Sequence, residues 1–254
     1  MIACHFDYQA PEGLLKDRVI LVTGAGDGIG RAAALGFAAK GATVILLGRT
    51  ISKLEQVYDE IEALGGPEAA IYPLNFEGAT WPDYQQMADR LYEEFGRLDG
   101  VLHNAGILGN ITPLQGYNPA LWQEVMQINF NGPVMMLQAL IPVLQASEDA
   151  SVILTSSSVG RQGRAFWGAY ACSKFALEGF AQVMAQELEN ISSVRVNTLN
   201  PGATRTRMRA KAYPGENPAH LRTPEEILPT YFYLMGPDSK GVTGQQFDAQ
   251  PPRE

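Results

Sequence analysis

The chain has 254 residues, of which 46% are hydrophobic and 18% charged, and its formal net charge at pH 7 is −8. This length and composition are typical of a globular α/β domain that buries a sizeable core. The negative charge disfavours nucleic acid and anionic membrane surfaces as partners, because like charges repel.

Two cysteines, Cys4 and Cys172, are too few for a disulfide framework, and no cluster of cysteine and histidine has the spacing of a metal site. No stretch reaches the roughly 18 apolar residues that span a membrane. The chain also begins without the apolar run of a secretory signal. A reducing cytoplasm is therefore the expected location, with no metal and no membrane partner.

Short apolar runs alternate along the chain with longer amphipathic segments, as strands alternate with helices in α/β proteins. The predicted strands are Val19–Thr23, Thr43–Leu47, Ala70–Leu74, Val101–His103, Val152–Thr155, Val194–Leu199 and Gln245–Asp248. The predicted helices are Gly28–Lys40, Ser52–Leu64 with Ser52 as its cap, Pro82–Phe95, Asn118 to about Gln145, Tyr170–Glu189 and Pro224–Met235. This order predicts a single-domain, Rossmann-type, doubly wound parallel sheet of about seven strands with helices on both faces.

The turn between the first strand and the first helix is rich in glycine. Glycines let the backbone approach a pyrophosphate closely, and the start of the helix offers free N–H groups and the positive end of its dipole. The turn therefore predicts a dinucleotide site, although glycines in such turns also serve packing alone. The cofactor-binding residues predicted here are Gly24, Gly26, Asp27, Gly28, Ile29 and Gly30.

The end of the second predicted strand decides which dinucleotide is expected. A carboxylate there would bond the ribose hydroxyls and repel a 2′-phosphate, but the sequence has Arg49 and no carboxylate nearby. A guanidinium can hold the additional phosphate by paired, charge-assisted hydrogen bonds. Arg49 therefore predicts NADP rather than NAD. The alternative is a surface arginine without a ligand.

Tyr170 and Lys174 are one turn apart on a predicted helix, so both side chains lie on one face. A phenol has a reference pKa near ~10, and a neighbouring ammonium is expected to lower it by favouring the phenolate. Ser157 follows the strand Val152–Thr155, at the edge where open α/β sheets build their sites. Its hydroxyl is expected to hold a substrate carbonyl near the phenol. The alternative is a polar turn residue.

Two further polar motifs agree with this location. Asn104, Ala105 and Gly106 follow the predicted strand Val101–His103, again at a carboxyl end. Asn129 is polar among apolar neighbours on a long helix, which requires a hydrogen-bonding reason. It either holds a water that connects Lys174 with solvent or bonds within the helix at a kink.

Taken together, these motifs resemble the short-chain dehydrogenase/reductase superfamily over about residues 15–248. The stretches 155–164 and 247–251 resemble, more narrowly, those of the YciK-type oxidoreductases of bacteria. The motifs that match in order and spacing are Thr23–Gly30, Asn104–Gly106, Asn129, Ser157, Tyr170, Lys174 and Pro201–Gly202. The resemblance implies that Tyr170 is the general acid or base and that Lys174 lowers its pKa and bonds the nicotinamide ribose. It implies that Ser157 orients the carbonyl and that Asn129 completes a proton relay through water.

The resemblance also implies further contacts with the cofactor. The residues concerned are Asn75, Asn104, Ala105, Gly106, Tyr170, Lys174, Pro201, Gly202, Thr204 and Thr206. One departure from the family pattern is Asp27, which stands where many NADP-using members have a basic residue. Another is Asn75, where the family usually has an aspartate. The family's usual assembly implies a homodimer or homotetramer built on the helices that hold Asn129 and Tyr170.

The segment from Pro201 to Thr223 has no clear periodicity and contains four arginines. It is either a mobile substrate-binding lid or a surface loop. Arg161 and Arg164, close after Ser157, bind an anionic group of the substrate or are interface or surface charges. The same two interpretations apply to Arg205, Arg207 and Arg209.

The leading hypothesis is an NADP(H)-dependent enzyme that interconverts a small-molecule carbonyl and an alcohol by hydride transfer. A second hypothesis, from the same machinery, is reduction of a 3-oxoacyl group on a carrier. A third is a non-catalytic sensor or scaffold that binds NADP(H). The intact set of Ser157, Tyr170 and Lys174 argues against the third, because a scaffold would need none of them.

Overall fold

The structure is a computed structural model that describes residues 2–251. Its strands are β1 (Val19–Thr23), β2 (Thr43–Gly48), β3 (Ala70–Pro73), β4 (Gly100–His103), β5 (Ser151–Thr155), β6 (Arg195–Asn200) and β7 (Gln246–Asp248). Its α-helices are α1 (Gly28–Ala39), α2 (Ile51–Ala63), α3 (Trp81–Phe95), α4 (Pro119–Met126), α5 (Gly132–Gln145), α6 (Gly168–Leu188), α7 (Arg207–Ala212) and α8 (Leu228–Met235).

The seven strands form one sheet in the order β3-β2-β1-β4-β5-β6-β7, and every neighbouring pair is parallel. The chain winds outwards from β1 in one direction and from β4 in the other. The loops that follow β1 and β4 therefore separate and leave a crevice at the carboxyl edge of the sheet. The doubly wound parallel sheet predicted from the sequence is confirmed.

Two apolar layers cover the two faces of the sheet. Successive side chains of a strand point to opposite faces, so Leu21 of β1 packs in one layer while Ile20 and Val22 pack in the other. The layer with Leu21 is completed by helices α3, α5 and α6, and the opposite layer by α1, α2 and α8. Packing on both faces of the sheet positions the strand ends. The strand ends in turn determine where the loops that follow them begin.

Three local expectations differ from the structure. Helix α2 begins one residue before Ser52, and its cap is Thr50, which makes no side-chain capping hydrogen bond. The helical stretch before Gln145 is interrupted by a π-helical segment, Gln127–Asn131. The region 201–223 is not irregular throughout, because it contains α7.

Among residues 2–251, no helix combines the length and apolar character needed to cross a membrane.

Candidate active site

A cleft of about 760 Å³ opens at the carboxyl edge of the sheet, in the size range of ligand-binding pockets. The ends of β1, β2, β4, β5 and β6 all contribute to its wall. Of the predicted site residues, only Gly30 and Asn129 lie behind the wall; the others line the cleft. The lining members are Gly24, Gly26, Asp27, Gly28, Ile29, Arg49, Asn75, Asn104, Ala105, Gly106, Ser157, Tyr170, Lys174, Pro201, Gly202, Thr204 and Thr206.

The glycine turn after β1 forms a concave backbone surface, the glycine cradle, in which there is no room for larger side chains. Gly24 has a φ of +67°, and a Cβ there would lie 3.1 Å from the Cα of Ala105. A Cβ on Gly30 would overlap the carbonyl oxygen of Gly24 and lie 2.8 Å from the side-chain nitrogen of Asn104. Asp27 caps α1, since its carboxylate accepts from the Gly28 N–H at 2.8 Å. The turn thus presents bare backbone at the start of a helix, which fits a pyrophosphate.

A buried threonine joins the turn to the loop that follows β4. The Thr23 hydroxyl oxygen accepts from the backbone N–H groups of Asn104 and Ala105, both at 3.0 Å. Its own proton is therefore available for Nδ1 of His103, also at 3.0 Å. Burial lowers the pKa of His103 to about 3, so this ring remains neutral and acts as an acceptor. This positioning role of Thr23 depends on contacts about 80 residues apart and has no local signal in the sequence.

The end of the cleft next to β2, called its far end, holds the side chains expected to determine which dinucleotide binds. Arg49 is exposed and, within residues 2–251, makes no hydrogen bond or ion pair. Lys53, which the sequence analysis missed, bonds the Asp27 carboxylate at 2.7 Å, and Arg207 approaches the same carboxylate at 3.3 Å. The Lys53 hydrogen bond lowers the pKa of Asp27. Two cations thus balance the acidic residue that departs from the family pattern.

The structure brings Ser157, Tyr170 and Lys174 together in the wall of the cleft. The Ser157 hydroxyl accepts from the Val159 N–H at 3.4 Å, and its interaction with the phenol of Tyr170 acts to lower the pKa of that group. The ammonium of Lys174 lies 5.7 Å from the centre of the Tyr170 ring and donates to the Thr155 carbonyl at 2.7 Å. The spacing of the tyrosine and lysine on α6, together with the end of β5, accounts for this arrangement.

The protonation of this set differs from the sequence-based expectation. Burial raises the pKa of Tyr170 to about 12, and the hydrogen bond from Ser157 only partly opposes the shift. The net shift is upward because desolvation of the phenolate outweighs the interaction that favours its charge. The separate effect of Lys174 on this pKa stays a prediction. Burial also lowers the pKa of Lys174 to about 8, opposed by Glu178. Near neutral pH the phenol is protonated and the lysine is largely a cation.

Asn129 lies in the π-helical segment, fully buried behind the cleft wall. Its side-chain oxygen accepts from the N–H of Ile107 at 2.8 Å, and its nitrogen donates to the Ile107 carbonyl at 2.9 Å and to the Ser173 hydroxyl at 3.1 Å. The side chain therefore fixes the loop after β4 against α6. Its part in a proton relay stays a prediction.

Arg161 has neither of the roles considered from the sequence. Its guanidinium is partly buried and bonds Glu178 at 2.8 Å, Asp248 at 3.0 Å and the Phe247 carbonyl at 2.9 Å. Glu178 also accepts from Thr198 at 2.7 Å. The loop that carries Ser157 is thereby tied to α6 one turn beyond Lys174 and to strands β6 and β7.

The region 201–223 closes one side of the cleft. Thr204 is buried and forms a bridge with Arg222, and Thr206 caps α7 through its hydroxyl. Gln250, which the sequence analysis missed, donates to the Pro201 carbonyl at 2.7 Å and secures the turn before Thr204. Arg205 donates to backbone carbonyls of the same region and does not line the cleft.

Comparison with known proteins agrees with this site. A family model described as short chain dehydrogenase matches residues 18–217. The uncharacterized oxidoreductase YciK of Escherichia coli (strain K12) is 53% identical over 247 residues, which cover 97% of this chain and 97% of YciK. A short chain dehydrogenase structure from Pseudomonas syringae shares 56% identity with a TM-score of 0.95, covering 96% of this chain and 99% of that one. Another, from Escherichia coli CFT073 in complex with NADPH, shares 54% identity with a TM-score of 0.92, covering 95% and 100%.

A doubly wound parallel sheet with a glycine cradle and a tyrosine–lysine pair at its carboxyl edge defines an oxidoreductase of the nucleotide-binding class. The chain belongs to the short chain dehydrogenase family. The likeness to YciK confirms the narrower resemblance that the motifs indicated.

Proposed function

We propose that the protein is an NADP(H)-dependent carbonyl reductase in which Tyr170 is the proton donor. The observation that carries the proposal is the joint placement of Ser157, Tyr170 and Lys174 beside a glycine cradle in one cleft. A phenol that is protonated near neutral pH is suited to donate a proton, which is the reductive direction.

The bound dinucleotide would supply a hydride to the carbonyl carbon of the substrate. The Ser157 hydroxyl would hold the carbonyl oxygen by a hydrogen bond, and Tyr170 would transfer its proton to that oxygen to give the alcohol. The Lys174 ammonium would stabilise the phenolate that remains, because an opposite charge favours the ionised form. Asn129 would keep the loop after β4 in place and contribute to the return of a proton from solvent.

The residues at the far end of the cleft favour binding of NADP(H) over NAD(H). Arg49 has no protein partner within residues 2–251, and Lys53 lies beside it on the first turn of α2. A 2′-phosphate would meet both cations. The similar enzyme from Escherichia coli CFT073 was solved with NADPH, which supports the same cofactor here. The adenosine and nicotinamide portions would contact Asn75, Asn104, Gly106, Thr204 and Thr206.

Changing Arg49 to Ala is expected to weaken NADPH binding by roughly 10–100-fold, the equivalent of losing charge-assisted hydrogen bonds of about 1.5–3 kcal/mol. Binding of NADH should change little, because it lacks the 2′-phosphate. Titration of each cofactor by its fluorescence measures both constants. Arg90→Ala, an exposed arginine on α3, is the matched control. Equal weakening for NADH and NADPH would contradict the assignment.

The proposed activity is tested by mixing the protein with NADPH and a panel of uncharged, charged and carrier-linked carbonyl compounds. The proposal expects NADP and alcohol to form in equal amounts with at least one free carbonyl compound. NADPH that binds without being oxidised by any member would favour the sensor. Turnover confined to the carrier-linked 3-oxoacyl thioester would favour the carrier reductase.

We also propose that the protein assembles as a homodimer or homotetramer through the helices that hold Asn129 and Tyr170. Phe175 and Val183 on α6 have exposed fractions of 44% and 55%, and they lie on one side of that helix. Apolar side chains grouped in this way are typical of a surface covered by a partner. Light scattering at several protein concentrations measures the assembly.

A further inference from the structure

The part of the cleft next to Tyr170 is walled by apolar and aromatic side chains from three separate segments. Leu108 comes from the loop after β4, Trp167 precedes α6, and Met208 and Tyr213 belong to α7 and its end. All of them line the cleft. The ring of Trp167 lies 5.8 Å from the ring of Tyr170 and 5.8 Å from that of Tyr213, measured between centres. The proton donor therefore adjoins a continuous aromatic wall.

Tyr213 is fixed in this wall from two sides. Arg164 donates to its hydroxyl at 2.8 Å, and the guanidinium of Arg209 lies 3.8 Å from the centre of its ring. Arg209 is itself held by the Glu216 carboxylate through bonds of 2.5 and 2.8 Å. A ring restrained in this way presents its surface to the cleft at a low cost in side-chain entropy. The contacts also join the loop that carries Ser157 to the region 201–223.

These contacts engage the cationic side chains that would otherwise be available to bind an anionic substrate. Arg164 and Arg209 bind Tyr213 and Glu216, and Arg161 is partly buried in its own network. The other charged side chains at this end of the lining are Glu124, the exposed Lys211, and Lys174, whose ammonium donates to the Thr155 carbonyl. The wall formed by Leu108, Trp167, Met208 and Tyr213 is thus apolar, and the arginines nearest to it are engaged with protein partners.

From these observations, and resting on the proposed reductase activity, we propose that the substrate is an uncharged carbonyl compound whose reacting group is attached to an alicyclic or aromatic ring. The ring packs against Trp167 and Tyr213, with Leu108 and Met208 at its sides, and the carbonyl oxygen reaches Ser157 and Tyr170. Flat apolar groups bury large areas against aromatic faces, which provides the selectivity.

The test compares kcat/KM for matched carbonyl compounds at saturating NADPH: benzaldehyde against 4-carboxybenzaldehyde, and cyclohexanone against acetone. We expect the uncharged ring compound to be favoured by roughly tenfold or more in each pair. The carboxylate would lose hydration against the apolar wall without gaining a cationic partner, and acetone has no ring to bury. Preference for the carboxylate, or for acetone, would overturn the proposed substrate class while leaving the reductase activity established. If no carbonyl compound oxidises NADPH, both proposals fail.

Variants of the wall provide a second readout. Trp167→Ala and Tyr213→Ala are expected to raise KM for the ring compounds by roughly tenfold more than they raise KM for acetone. Trp167→Leu keeps an apolar side chain should the alanine variant fold poorly, and Tyr213→Phe keeps the ring but loses the bond to Arg164. Tyr92→Ala, exposed on α3, is the control. An equal loss of kcat/KM for acetone and ring compounds would assign these side chains a structural role and overturn the proposal.

Discussion

Changing Tyr170 to Phe is expected to lower the rate of carbonyl reduction by about 10²–10⁴-fold, the usual contribution of a positioned general acid. The ring and its contacts with Trp167 are kept, and only the hydroxyl is lost. NADPH affinity should therefore persist, because the glycine cradle and Arg49 are unchanged. Steady-state rates together with a cofactor titration measure the two effects separately.

Tyr92→Phe, which removes an exposed hydroxyl from α3, is the control and should retain the full rate of carbonyl reduction. A Tyr170→Phe variant that reduces carbonyl compounds as fast as the unchanged protein would refute the proposed role of the phenol. Loss of NADPH binding in the same variant would show that the substitution acts on the cofactor site instead.

Changing Arg161 to Ala is expected to lower the free energy of unfolding by about 3–5 kcal/mol, the cost of breaking a buried ion pair from one side. The side chain of Arg161 is 11% exposed and that of Glu178 is 6% exposed, so the carboxylate left behind is poorly solvated. Thr198 and Gln246 would still donate to Glu178, but neither carries a charge.

Urea unfolding at a fixed protein concentration measures this change, with Arg90→Ala as the exposed-arginine control. The control should remain within about 0.5 kcal/mol of the unchanged protein. A similarly small effect for Arg161→Ala would mean that the network contributes specificity of structure and little stability.

Much of the fold could be predicted because its signals are local. Strands buried on both faces are uniformly apolar, as Val19–Thr23 is, and the helices between them have the usual periodicity. The glycine turn and the tyrosine–lysine spacing on α6 are also local. Both motifs lie at the carboxyl edge of a parallel sheet, so the fold itself brings them into one cleft.

The remaining features depend on partners that are distant in sequence. Arg161 joins residues from α6 and β7, and each member looks like a surface charge when taken alone. Helix α7 has the sequence Arg-Met-Arg-Ala-Lys-Ala, which is too short to show a helical period. Its position follows from the tertiary contacts of Met208 and Ala212.

The direction of the Tyr170 pKa shift also depends on the three-dimensional structure. The sequence shows that a lysine is near, but the distance to it and the degree of burial decide which effect dominates. In the structure burial dominates, and the phenol is a stronger candidate for the acid than for the resting base.

The central claim is that Tyr170 donates the proton and that the Lys174 cation stabilises the phenolate left behind. The most direct test is the rate of carbonyl reduction across neutral and alkaline pH, at saturating NADPH and carbonyl compound. Because burial lowers the pKa of Lys174 to about 8, the cation predominates below that pH and is lost above it. The rate should therefore be constant on the acid side of this value and fall on the alkaline side. A rate that stays constant or rises as the pH passes through this range would contradict the claim.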